Sequence, residues 1–111
     1  MIRIILIAMA ASLGFSTTAA AQADAIAKGV QVYAEQRCAI CHAIAGKGNA
    51  KGPLDDVGSR LSTEEIRRWI VDAKGMTEKT KALRKPLMKD YLLPKDQLDA
   101  LVAYMASLKK K

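Results

Sequence analysis

The sequence predicts an all-α domain, three main helices joined by loops and short helical turns. Three observations carry this. Apolar residues recur at intervals of three and four near residues 24–37, 62–73 and 94–108, the period of a helix with one buried face. Each of these stretches opens on a helix-start signal. No stretch shows the sustained apolar–polar alternation of a strand.

The chain has 111 residues, room for one small domain. Half of it is hydrophobic but only 5% is aromatic, and many of its apolar residues are Ala. A small domain with few bulky side chains needs help from a disulfide, a metal, a cofactor or a partner. This composition disfavours a large pocketed enzyme, a multidomain protein and a fibrous chain.

The N-terminus reads as an export signal. Met1-Ile2-Arg3 is a short basic start, Ile4 to Phe15 a mostly apolar run, and Ser16 to Ala21 a small-residue end. That order is the n-, h- and c-region of a secretory signal, and the run is short for a bilayer span of ~20 residues. Cleavage is expected after Ala21 or Ala23, leaving a domain over residues 22–111 that resides in a bacterial periplasm. An uncleaved anchor is the alternative.

In the mature chain, Asp24 is expected to cap a first helix to about Arg37, with Ile26, Val30 and Tyr33 on one face. Gly29 inside it costs ~1 kcal/mol against Ala, which implies close approach of another element. Gly46 to Gly58 is rich in Gly and polar residues and reads as loop. Ser62-Thr63-Glu64-Glu65 has the capping-box pattern and opens a helix to about Ala73, with Ile66, Trp69, Ile70 and Ala73 on one face and Gly75 ending it. Residues 76–93 read as a long loop with at most a helical turn. Pro94 suits the start of a last helix, where Leu98, Leu101, Val102, Met105 and Leu108 make the buried stripe.

Cys38-Ala39-Ile40-Cys41-His42 is C-x-x-C-H, the attachment pattern of c-type haem. Thiols at i and i+3 lie on one side of a helical turn, where both can form thioethers with haem vinyl groups. The adjacent imidazole then reaches the iron as proximal ligand. Rival readings are weaker. A disulfide across two residues closes too small a loop to restrain the unfolded chain. A redox pair of the thioredoxin kind needs βαβ surroundings. Zinc needs about four ligands, and these residues supply three.

Around that motif the chain resembles a small class I c-type cytochrome over residues 24–108. The resemblance rests on Gly29 to Tyr33, Cys38 to His42, Gly52-Pro53-Leu54, Gly58 to Leu61, Trp69-Ile70 and Leu101 to Met105. It implies the cytochrome c fold wrapped around one covalently attached haem c, and single-electron transfer rather than catalysis by the protein itself. It implies that the first and last helices cross closely, with Gly29 allowing the approach and Tyr33 and Tyr104 packing nearby. Pro53 resembles the family proline beside the proximal His, where a backbone carbonyl accepts the imidazole N–H. Arg60 and Trp69 resemble residues that hydrogen-bond haem propionates.

A Met sulfur usually stands opposite the His in this family. Met88 has the family's distance to the last-helix aromatic Tyr104, although Lys89 follows it where the family pattern is Met-Pro. Met76 is the second candidate, an open site the third, and Met105 falls on the last helix's buried stripe.

The formal net charge is +7. Lys74, Lys79, Lys81, Arg84, Lys85 and Lys89 crowd the segment before and around Met88, which suggests a docking surface for acidic redox partners. Nucleic acid is disfavoured, since basic and aromatic residues do not interleave. Two alternatives remain: a five-coordinate haem that binds a gas or reacts with peroxide, and an electron-transfer subunit of a larger dehydrogenase or reductase complex.

Overall fold

The computed structural model describes residues 17–111. The basic start and apolar run of the expected export signal lie outside the described residues.

Helix α1 spans Thr17–Glu35. It begins before the expected cap at Asp24 because the preceding stretch is Ala-rich and holds neither Gly nor Pro. Its buried positions are Gly29 and Val32, with Ile26 and Tyr33 half-buried, whereas Val30 is 45% exposed. Val30 therefore lies off the face expected of it. The helix stops two residues before Arg37, which takes a left-handed backbone (φ 57°, ψ 38°) and redirects the chain.

A 3-10 turn, Cys38–Ile40, follows at once. Next come two short antiparallel strands, β1 (Ala43–Ile44) and β2 (Lys47–Gly48), paired Ala43 to Gly48 and Ile44 to Lys47. Ala45 and Gly46, both at positive φ, form the two-residue turn between them. Two residues per strand are too few for alternation to show in sequence.

Helix α2 is one turn, Val57–Arg60. Helix α3, Thr63–Val71, opens on the expected capping box: Ser62 Oγ accepts from Glu65 N–H, and Glu65 Oε1 accepts from Ser62 N–H. It ends earlier than expected. Asp72 closes it and also caps the next helix, α4 (Ala73–Thr80), by accepting the Gly75 N–H at 3.1 Å. Gly75 thus sits in the first turn of a helix rather than past the end of one, and a Cβ there would collide with the Asp72 carboxylate. The loop expected over 76–93 accordingly begins only at Lys81, and Met76 is helical and 2% exposed. Helix α5 spans Lys95–Ser107 behind Pro94.

The core cluster is Val32, Val57, Ile66, Ile70, Leu101, Val102 and Met105. Among described residues every aromatic side chain is only partly buried. The dominant packing is α1 across α5. A Cβ at Gly29 would sit 2.6 Å from Tyr104 Cβ and closer still to the Ala100 carbonyl oxygen. Tyr33 and Tyr104 meet edge-to-face across the same crossing, ring centroids 5.8 Å apart.

Candidate functional site

Cys38 and Cys41 lie on the turn that leaves α1. Both are half-buried, and neither is in a disulfide. The Cys38 carbonyl accepts from the N–H groups of Cys41 (3.1 Å) and His42 (2.9 Å), which puts the two thiols on the same side of one turn. The turn is braced from below by Asn49. Its N–H donates to the carbonyls of His42 (2.9 Å) and Ala39 (3.1 Å), and its side-chain amide donates to Ile40 O at 3.1 Å. Gly48, at φ 112°, runs against the His42 carbonyl where any Cβ would collide.

His42 is half-buried with its Nδ1 3.1 Å from the Gly52 carbonyl oxygen. A carbonyl can only accept, so Nδ1 carries the proton and Nε2 keeps the lone pair a metal needs. The same carbonyl accepts the Ala43 N–H at 3.0 Å, so its direction is fixed by the backbone. Pro53 follows Gly52, biasing it towards extended backbone. Burial lowers the imidazole pKa, the Gly52 bond pulls the other way, and the Arg84 cation lowers it again. The ring is neutral at neutral pH, the form that ligates.

The Met88 segment folds against this turn. Arg84 Nη2 donates to the Cys41 carbonyl at 2.6 Å. Beyond Met88, the Tyr91 N–H donates to Ile70 O on α3 at 2.8 Å, and Asp90 Oδ1 accepts from Lys74 N–H on α4 at 3.0 Å. The Tyr91 phenol is pushed up by burial first and then by Cys38 and Cys41. Lys89 lies 4.9 Å over the Tyr91 ring. Met88 is half-buried and borders a hollow of about 380 Å³ that Lys74, Thr77, Glu78 and Leu87 also line.

The remaining expected residues are less concentrated. Trp69 is half-buried on α3, next to the Ile70 carbonyl that anchors Tyr91. Arg60 is exposed on α2 and pairs with Asp56 at 2.9 Å; no hydrogen bond or ion pair joins it to the cysteine turn. Asn49 and Arg84 are site residues that sequence reasoning missed, and the carbonyl expected beside Pro53 is that of Gly52. The Asn49 turn has a local signal, an Asn amid Gly residues. Arg84 has none, since its partner is 43 positions away.

A profile of the cytochrome c family, described as "Cytochrome c", matches residues 26–109. The chain belongs to the cytochrome c family. This cytochrome therefore carries covalent haem c, and Cys38 and Cys41 are its two cysteines. It is 31% identical over 91 residues to "Cytochrome c oxidase subunit 2" of Alkalihalophilus pseudofirmus, an alignment covering 74% of this chain and 25% of that protein. The chain thus spans about a quarter of that relative's length. No solved structure matches it.

The residues fit the cofactor. Two unpaired thiols share one side of a turn, and an imidazole beside them is held by Nδ1 with Nε2 free. A phenol hydroxyl, Tyr33 Oη, is buried with no hydrogen-bond partner. Burial first, and Cys38 next, push that phenol up to about 12. When bound, haem c supplies a one-electron couple. The chain orients the imidazole, and Arg84 ties the 81–93 segment to the cysteine turn. No described helix is long and apolar enough to cross a membrane.

Proposed function

We propose that this cytochrome is a periplasmic single-electron carrier with His42 and Met88 as axial ligands and a basic face that docks acidic redox partners. One observation carries the reading. Met88 is half-buried and lies four residues after Arg84, whose guanidinium donates to the Cys41 carbonyl, and this tie between its segment and the cysteine turn supports Met88 as the second ligand. Met76, packed at 2% exposure on α4, is committed to the protein interior. A thioether opposite an imidazole raises the reduction potential, since it favours ferrous iron, and a six-coordinate iron leaves no place for a substrate. Export through the N-terminal signal agrees with covalent haem attachment outside the cytoplasm.

The Met88→Ala protein is expected to lose the weak near-infrared sulfur-to-iron band, to fall in potential, and to bind carbon monoxide rapidly when reduced. An unchanged absorption spectrum would remove Met88 from the iron.

The docking face is supported by exposure. Lys74, Lys79, Lys81, Lys85 and Lys89 are all exposed around the Met88 segment, with Leu83 and Leu87 exposed among them. Arg84 is already engaged with Cys41. Electron exchange with the physiological partner is expected to slow as salt is raised through ~0.1 M, where the screening length falls to ~10 Å. A flat salt dependence in stopped-flow mixing would count against steering.

The likeness to part of an oxidase subunit favours a second reading, a module fixed within a larger electron-transfer complex. Stoichiometric co-purification with a partner from native membranes distinguishes it from a diffusing carrier.

A further inference from the structure

We propose that Arg84 is a positioning residue: it clasps the Met88 segment to the cysteine turn and so sets how readily Met88 leaves its place. The proposal rests on the reading of Met88 as axial ligand.

The segment has few ties of its own. Among the described residues, Ala82 N–H donates to Thr77 O at 3.2 Å where the segment begins, and the Asp90 and Tyr91 bonds hold its far end. Between them, the Arg84 bond is the one hydrogen bond made by residues 83–89. Apolar packing does not substitute for it, because Leu83 is 87% and Leu87 46% exposed. A stretch so weakly anchored opens at low cost unless something holds its middle.

Arg84 holds it at a specific place. Its donor is charged and the bond is short, which puts it among the stronger hydrogen bonds. The acceptor is the carbonyl of Cys41, the residue before His42. Gly52 makes the room: a Cβ there would strike the Cys41 carbonyl oxygen and the Arg84 guanidinium. Gly52 is also the residue whose carbonyl fixes the His42 ring. One small cluster therefore connects the orientation of the first ligand with the anchorage of the second, and a guanidinium four residues before Met88 is its outer half.

The test uses the haem-loaded protein and three variants, Arg84→Gln, Arg84→Lys and Met88→Ala. Oxidised protein is mixed with saturating imidazole, and the limiting rate of exchange reports release of the sixth ligand. Arg84→Gln should keep the near-infrared band at rest yet exchange roughly three- to tenfold faster, the effect of losing one partly exposed charged hydrogen bond. Arg84→Lys keeps a single charged donor and should fall between Arg84→Gln and the parent.

A parental exchange rate in Arg84→Gln, with the band lost in Met88→Ala, overturns the clasp and leaves Met88 as ligand. A lowered melting temperature in Arg84→Gln with a parental exchange rate also overturns it, since that is a structural role alone. A band that survives Met88→Ala overturns the ligand reading first and the clasp with it.

Discussion

A Cys38→Ala, Cys41→Ala chain is expected to be colourless and to melt without a cooperative transition. The reason lies in what the polypeptide buries. Its core cluster consists of aliphatic side chains and Met105, and among the described residues the most deeply buried side chains above Ala in size are Val32 and Met76, each 2% exposed. Tyr33, Trp69, Tyr91 and Tyr104 remain at the margin, and Ile40 on the cysteine turn is 65% exposed. A flat apolar cofactor that buries a few hundred Å² contributes on the order of 10 kcal/mol at ~25 cal/mol per Å². That equals the whole net stability of ~5–15 kcal/mol that a domain of this kind possesses. Losing both thioethers removes the attachment that keeps the cofactor in the folded state, so the expected loss is of the whole transition. Far-ultraviolet circular dichroism against temperature checks it. A sigmoidal melt close to that of the haem-loaded protein would mean that α1 and α5 hold the domain unaided.

The thin core was visible in composition, and so was its remedy, because C-x-x-C-H is a local pattern whose chemistry fits within five residues. Most helices were legible for the same reason. The Ser62–Glu65 box and the stripe of α5 are formed by near neighbours in sequence, and their geometry follows from that. Three readings failed where one residue could serve two roles or where a competing propensity won. Asp72 both ends α3 and caps α4, so Gly75 stands in the first turn of α4 and not at the end of α3. The Ala-rich stretch before Asp24 propagates α1 through a residue that would cap it elsewhere. Val30 satisfies helical spacing with Ile26 and Tyr33, yet the face that α5 covers is set by Gly29 and Val32.

The site was legible in its first half only. Cys38, Cys41 and His42 are contiguous, and Gly52 lies close enough to bend back onto His42. The second half depends on contacts over long separations, from Arg84 to Cys41, from Asp90 to Lys74 and from Tyr91 to Ile70. No local pattern encodes a guanidinium reaching a backbone carbonyl, because every backbone offers one. Arg84 was therefore visible as one charge among six, and its particular place only in the fold.

Gly29→Val is expected to lower stability by roughly 3 kcal/mol or more, because the new side chain has nowhere to go. The atoms it would meet are the Ala100 carbonyl and Tyr104 Cβ, the second at 2.6 Å. These belong to or adjoin the α5 backbone and cannot rotate aside, so the two helices must separate. Replacing Gly by Ala in a helix gains ~1 kcal/mol, which offsets part of the overpacking in Gly29→Ala. Val gains less, and its methyl groups add to the clash. For a domain of this size each kcal/mol shifts the melting temperature by ~4–8 °C, so Gly29→Val should fall by more than ~12 °C. The separation also reaches the site. Tyr33 and Tyr104 meet at the same crossing, and α1 feeds through Arg37 directly into the Cys38 turn. Val30→Ala is the control. Val30 adjoins Gly29 in sequence but stands 45% exposed, and its truncation should change stability by no more than ~0.5 kcal/mol. Thermal melts of the two haem-loaded variants, run side by side, decide it. Equal melting temperatures would show that the α1–α5 crossing can widen at little cost.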